Sequence, residues 1–240
     1  MSLNWHLIES GKLPPQEIMD KDADLLNQLE ENPRPILHFY EWSTPCLTYG
    51  YFTNPSLFLD LESLNHYGLH TAKRPTGGGI IFHLTDFAFS VLIPANHPNF
   101  SLNTLDNYAF INRKIAKAIT FLTPQHETPT LFNEEGHECE GGACHGFCMA
   151  QPTQFDLMLG GKKVGGAAQR RTRHGFLHQG SISLFFPPKK MLLKILKNNV
   201  MILDAMHLHS YCLLPSRSNF KELNDMREMI KKNLKINFIE

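Results

Sequence analysis

Apolar residues recur along the chain with two periods, and these divide it into helices and strands. Over residues 16–31, QEIMDKDADLLNQLEE, Ile18, Met19, Leu25, Leu26 and Leu29 share one stripe at helical spacing with acids elsewhere, which predicts an amphipathic helix. TLDNYAFINRKIAKAITFL, residues 104–122, is the clearest helix, with Leu105, Tyr108, Ile111, Ile115, Ala118 and Ile119 recurring three and four apart. The segment 55–68 starts near Pro55 and stops on Gly68, the punctuation of a further helix. Aromatic and apolar runs at 35–42 (PILHFYEW) and 46–52 (CLTYGYF) predict strands. Ile80, Ile81, Phe87, Phe89, Val91 and Ile93 predict two more, separated by Leu84-Thr85-Asp86. QFDLMLGGKKVGGAAQRR predicts a strand, a Gly160-Gly161 turn and a second strand, and FLHQGSISLFF a further one. Helices are expected again at 187–198 and at 221–233, the latter with Leu223, Met226, Met229 and Ile230 on one face, whereas 123–148 reads as irregular. No repeat, low-complexity tract or linker interrupts this order, which fits a single domain of the α+β or α/β class.

Composition narrows the function classes. Hydrophobic content of 42% and charged content of 19% suit a globular enzyme. Lys+Arg and Asp+Glu are 23 each, and a balanced charge argues against a general nucleic-acid binder while leaving room for a local basic patch. No apolar run approaches the roughly 18–20 residues of a membrane span. The start, MSLNWHLIES, lacks the features of a secretory signal. Five cysteines, unevenly spread at 46, 139, 144, 148 and 212, are not a disulfide framework, so a cytoplasmic location with free thiols is the expectation.

Three stretches can carry chemistry. In RPTGGGIIFH, residues 74–83, Gly77, Gly78 and Gly79 stand between the basic pair Lys73-Arg74 and His83. They make either a tight hairpin or a backbone that a ligand approaches closely, with a cation at hand for phosphate or acyl-adenylate. The loop matches neither GxxxxGK[ST] nor GxGxxG. In GGKKVGGAAQRR, residues 160–171, small residues Gly165, Gly166 and Ala167 follow Lys163. This is either a hairpin with a solvated basic edge or a strand along which a ligand chain lies, with Lys163 reaching a carbonyl or phosphate oxygen. In HECEGGACHGFC, residues 137–148, Cys139, Cys144 and Cys148 with His137 and His145 are candidate zinc ligands, but no CxxC pair is present and the spacing matches no zinc knuckle. The alternatives are unrelated cysteines in a loop, or a nucleophilic Cys148 whose thiol needs a cationic neighbour, a role Lys163 fills if the strand brings it near.

Taken together, these stretches resemble the lipoate-protein ligase and octanoyltransferase family, related to the biotin protein ligases. WHLIESG with the helix after it, HFYEWSTPCLTYGYF, RPTGGGIIFH, GGKKVGGAAQRR and GFLHQGSISL occur in the family's order over roughly residues 5–185. The resemblance implies an α+β fold, a mixed β-sheet with helices packed around it in a biotin/lipoate protein ligase-like catalytic domain, expected here as one domain over 1–240 without a separate C-terminal accessory domain. It implies that the glycine loop and the lysine strand flank an acyl tunnel, with Lys163 at the family's lysine. Substrate-binding residues are then Arg74, Gly77, Gly78, Gly79, His83, Gly165, Gly166 and Ala167, with Tyr49, Phe82 and Phe89 expected in the tunnel wall. No metal is expected.

The sequence also departs from the family pattern. Pro75 stands for the second loop arginine, Leu84 for the aspartate after the loop histidine, and His178 comes one place early, before Gln179-Gly180. The first two departures fall where ligases hold nucleotide. One transferase branch places a cysteine just ahead of a proline-containing stretch that runs into the lysine strand, and CMAQPTQFDLMLGGKKVGGAAQ has that layout. The resemblance therefore favours transfer of an octanoyl or lipoyl group through a Cys148 thioester to a lysine of a lipoyl domain. The implied partners are the lipoyl domains of 2-oxoacid dehydrogenases or the glycine cleavage H protein, with acyl carrier protein as a candidate donor and neither nucleic acid nor membrane. Transfer implies no cofactor. The alternatives are an ATP- and Mg-dependent lipoate ligase, in which Cys148 is a bystander, and an inactive homologue that only binds lipoyl domains.

Overall fold

The computed structural model describes residues 4–133, 146–216 and 218–240. Among the described residues, ten strands are arranged in two sheets, flanked by helices. In chain order these are β1 (His6–Leu13), α1 (Pro15–Gln28), β2 (Ile36–Trp42), β3 (Cys46–Tyr49), α2 (Leu61–His66), β4 (His70–Lys73), β5 (Ile80–His83), β6 (Asp86–Pro94), α3 (Thr104–Ile119), β7 (Thr130–Leu131), β8 (Leu157–Leu159), β9 (Lys162–Arg171), β10 (Gly175–Ser183), α4 (Lys189–Ile195), α5 (Asn199–His209) and α6 (Phe220–Ile239). The large sheet has the order β1-β2-β6-β10-β9-β8-β7, parallel at β1/β2 and antiparallel elsewhere. The small sheet has the order β4-β3-β5, parallel at β3/β4 and antiparallel at β3/β5. Both are mixed, and with helices on their faces they give the α+β arrangement.

Alternation along β6 explains the layering. Phe87, Phe89, Val91 and Ile93 pack with Ile111, Ile115 and Ile119 of α3 and Leu223, Ile230 and Leu234 of α6 in one core. On the opposite face Leu92 meets Leu25, Leu26 and Leu29 at the end of α1, together with Leu177. A strand covered on both sides reads as a continuous apolar run, and every residue of β6 is buried. The second core joins the small sheet, through Leu47, Ile80 and Phe82, to α4 and α5.

Several boundaries differ from the pattern-based expectation. The strand predicted at 46–52 stops at Tyr49, because the buried Gly50 lies directly beneath the Gly77-Gly78 backbone and a Cβ there would overlap it. The helix predicted at 55–68 is a 3₁₀ turn, Pro55–Leu57, followed by α2, whose first turn is capped by Asp60 accepting from the Ser63 amide. Gly68 does follow this helix, at φ +62°. Leu105 and Met229, placed on the buried stripes by periodicity, are exposed, while Asn107 and Asn112 of α3 are buried. The α5 helix has no counterpart in the sequence reading.

Candidate active site

The glycine loop, residues 74–79, links β4 to β5, and these strands do not pair with each other: β3 lies between them. The hairpin reading is therefore wrong. The loop crosses the end of β3, and its glycines serve different ends. Gly78 takes φ +84°, a conformation costly for a residue with a side chain, and a Cβ on it would lie 3.3 Å from Arg74 Nη2 and 3.7 Å from Cys148 Sγ. A Cβ on Gly79 would come within 2.5 Å of the Gly146 carbonyl oxygen. That tight contact lets residues 146–150 run beside β5, where Phe147 bridges Ile80 and the Cys148 amide donates to the Ile80 carbonyl at 3.3 Å. A Cβ on Gly77 would meet nothing within 4 Å, and the residue lines the cleft.

Arg74 is the hub of this loop. Its Nη2 donates to the carbonyls of Gly77 (3.0 Å) and Gly79 (2.7 Å), and Nη1 donates to Thr48 Oγ1 (2.8 Å). Burial lowers the guanidinium's pKa from its ordinary value, and the adjacent Cys148 side chain, within hydrogen-bonding reach, works against that shift. Arg74 does not line the cleft; it supports the backbone that does. The same holds for His83, whose Nδ1 lies 2.7 Å from Asp86 Oδ2 and Nε2 lies 2.8 Å from Thr48 Oγ1. The histidine's acidic partner is thus Asp86, two residues beyond Leu84.

A cavity of about 300 Å³ lies between this loop and β9. Gly77, Gly78, Gly79, Tyr108, Cys148, Lys163, Gly165, Gly166, Ala167, Ala168 and Ser181 all line it. Tyr49 does not, nor do Phe82 and Phe89, the expected wall residues: Phe82 is buried in the small-sheet core and Phe89 in the large-sheet core. The apolar and aromatic wall comes instead from Ile81, Tyr108, Phe147 and Met149, together with small residues of β9 and the backbone of the glycine loop.

Lys163 is buried, and its Nζ lies 2.6 Å from Asp156 Oδ2 and donates to the Cys148 carbonyl at 2.7 Å. An ammonium has three N–H donors, so one remains for a ligand in the cavity. The side chain folds back over Gly166, where a Cβ would lie 2.6 Å from Lys163 Cε and 2.9 Å from Asp156 Oδ1. Gly166 is therefore small to admit the ion pair, not simply to let a ligand chain pass. Lys162 points elsewhere and donates to the His207 carbonyl at 3.0 Å.

Asp156 escaped the sequence reading. It is buried, and its Oδ2 also accepts from the Thr153 amide (2.7 Å) and hydroxyl (2.9 Å). The Thr-x-x-Asp spacing was its only local signal. The preceding residue, Phe155, holds φ +68°, fixed by its amide donating to Phe132 O (2.8 Å) and its carbonyl accepting from Asn112 (2.7 Å). Also missed was a buried network in which Asp22 accepts from Ser90 and Gln179, both at 2.6 Å, and pairs with His38 at 2.7 Å. Gln179 in turn accepts from Thr76 of the glycine loop at 2.7 Å, tying that loop to α1. The displaced His178 is fully buried beside Tyr108, and burial lowers its pKa to about 3.

Two cationic groups thus approach Cys148. Lys163 holds its carbonyl, and Arg74, which the sequence reading did not place there, lies within hydrogen-bonding reach of its thiol. Cys139 and Cys144, with His137 and His145, lie outside the described residues; among the described residues no group of three His, Cys, Asp or Glu side chains is placed to hold a metal. Nor is any described helix long and apolar enough to cross a membrane.

Residues 14–217 match the profile described as the lipoyl protein ligase A/B catalytic domain, and the chain belongs to that family. It is 30% identical over 181 residues to octanoyltransferase LipM of Geobacillus kaustophilus, covering 75% of this chain and 65% of that protein, which is less than two thirds of its length. It is 29% identical over 188 residues to octanoyltransferase LipM of Bacillus subtilis, covering 78% and 68%. Among solved structures it resembles lipoate-protein ligase A bound with ATP (TM-score 0.67, 19% identity, 99% of this chain and 85% of that one). It also resembles the bi-partite lipoate protein ligase of Thermoplasma acidophilum, studied with its E2 lipoyl domain (TM-score 0.66, 17% identity, 98% and 84%). These two structures share the fold.

Proposed function

We propose that the chain transfers an octanoyl or lipoyl group from a thioester donor to a lysine of a lipoyl domain, through a thioester on Cys148. The observation that carries this reading is the convergence of Cys148, Lys163 and the glycine loop on one cavity. The relatives named octanoyltransferase support it. Acyl carrier protein is the donor we favour, and the acceptors are lipoyl domains of 2-oxoacid dehydrogenases or the glycine cleavage H protein.

In the first step the Cys148 thiolate attacks the donor's acyl carbonyl. Charge develops on the carbonyl oxygen, which the free N–H of Lys163 stabilises. The C–S bond to the donor breaks, and the donor thiolate leaves and takes a proton. In the second step the lipoyl-domain lysine attacks the Cys148 thioester, loses a proton as the amide forms, and releases the Cys148 thiolate. Asp156, 2.6 Å from the Lys163 ammonium, aims it at the reacting carbonyl. No nucleotide is consumed.

The test is acyl transfer to an apo lipoyl domain, followed by mass, in two reactions. One contains octanoyl-acyl carrier protein without ATP; the other contains lipoate with ATP and Mg. Modification in the first alone supports transfer. Modification in the second alone makes the chain a ligase, and modification in neither favours an inactive binding homologue.

A further inference from the structure

A buried guanidinium is costly unless charge or hydrogen bonds compensate for it. Arg74 is 3% exposed, yet it takes part in no ion pair among the described residues. Its three hydrogen bonds end on neutral oxygens of Thr48, Gly77 and Gly79, and its Nε is buried without a partner. Three groups beside it can carry negative charge, the Cys148 thiol, Tyr40 and Tyr108; burial raises both phenols, and the thiol is the one within hydrogen-bonding reach, its Sγ and Arg74 Nη2 flanking Gly78. Facing that thiol from the other elements are Tyr108 of α3, Asp156 before β8 and Lys163 of β9. Lys163 is already neutralised by Asp156 at 2.6 Å.

We propose that Arg74 is the counter-ion of the Cys148 thiolate, and that Thr48, His83 and Asp86 are positioning residues that hold it there; this rests on the thioester reading above.

Hydrogen bonds connect that chain. Thr48 Oγ1 accepts from Arg74 at 2.8 Å and is hydrogen-bonded on its other side to His83 Nε2, also at 2.8 Å. His83 Nδ1 is in turn hydrogen-bonded to Asp86 Oδ2 at 2.7 Å. Asp86 is anchored in turn, accepting from Ser181 at 2.7 Å, and the Trp42 ring stacks on His83 with centroids 4.4 Å apart. These contacts orient the guanidinium. In that orientation it pins two carbonyls of the glycine loop and keeps its charge beside the sulfur. A carboxylate beside an arginine titrates about 1–3 units low, and thiols beside cations respond in the same sense.

The test is the pH profile of iodoacetamide alkylation at Cys148, read by peptide mapping of the free enzyme. Wild type supplies the reference profile. Thr48→Val, which keeps the shape and removes the hydroxyl, should move the profile to higher pH by about one unit. Thr48→Ser should restore it. Arg74→Met should move it at least as far as Thr48→Val; if it does not fold, the Thr48 pair carries the test. An unmoved Thr48→Val profile overturns the proposal. The profile needs no acyl donor, so it fails separately from the transfer reading. An acyl adduct on Cys148 together with an unmoved Thr48→Val profile would overturn this inference alone.

Discussion

Lys163 Nζ lies 2.6 Å from Asp156 Oδ2, and both side chains are nearly enclosed, at 9% and 4% exposure. The pair spans the β8–β9 hairpin and fixes the ammonium beside the Cys148 carbonyl. Arginine should not replace this lysine. Its planar fork is wider than an ammonium, and the stem already folds over Gly166 without spare room. Lys163→Arg and Asp156→Ala should each lower the transfer rate by about 10²–10³, the usual loss for one oxyanion contact. Lys162→Ala should keep near-normal rates, because its ammonium reaches the His207 carbonyl outside the cleft. Single-turnover transfer rates check all three.

Gly166→Ala provides an independent test of the same pair. The new methyl would meet Lys163 Cε at 2.6 Å and push the ammonium from Asp156. Gly166 does not have the positive φ that would add backbone strain. We expect transfer to fall at least tenfold, about 1.4 kcal/mol in barrier, with a smaller change in unfolding free energy. A loss of stability with transfer intact would mean that the glycine serves only strand packing.

Acid should destabilise the fold through His178. It is neutral in the folded chain, with a pKa lowered to about 3 by burial, whereas an unfolded histidine titrates near 6.5. Between those values the unfolded chain binds more protons, so stability present at neutral pH is lost as pH falls below about 6.5. The loss attributable to this residue between pH 7 and pH 5 should be about 2 kcal/mol. Urea unfolding at both pH values, compared with His178→Met, isolates it: the variant should lose less stability on acidification. Equal losses would place the acid sensitivity elsewhere.

Much of the fold was legible because its signals are local. The β8–β9 hairpin follows from Gly160 and Gly161, which both take positive φ, and α1, β2, β6 and β10 follow from apolar period. The α5 helix was not legible: NVMILDAMHLH is apolar on several sides, with Ile202 and Met206 buried and Val200 and Leu208 exposed, so no stripe marks it. The lysine and cysteine of the site could be named from motif order, but their supports could not. Asp156 acts through a hairpin register that contains a bulge, and Asp86 through a three-residue return to His83. Lys73 and Arg74 look alike in sequence, yet the first lies exposed over the Tyr51 ring, 4.1 Å from its centroid, and the second is buried. Only the β4–β3–β5 arrangement separates them. Tyr49 was misplaced for the same reason: the order of the small sheet, which turns its side chain to the α4–α5 core, is a long-range property.

The central claim is a covalent acyl group on one sulfur. Intact mass followed by peptide mapping, after incubation with octanoyl-acyl carrier protein and no acceptor, tests it most directly. The account predicts one octanoyl adduct on the Cys148 peptide, labile to hydroxylamine as a thioester is, and chased onto an apo lipoyl domain added afterwards. Cys148→Ala should form no adduct and transfer nothing while unfolding at the wild-type temperature, and Cys212→Ser should behave as wild type, since burial raises the Cys212 thiol to about 12. Full transfer by a folded Cys148→Ala variant, or an adduct that maps to another residue, would contradict the account.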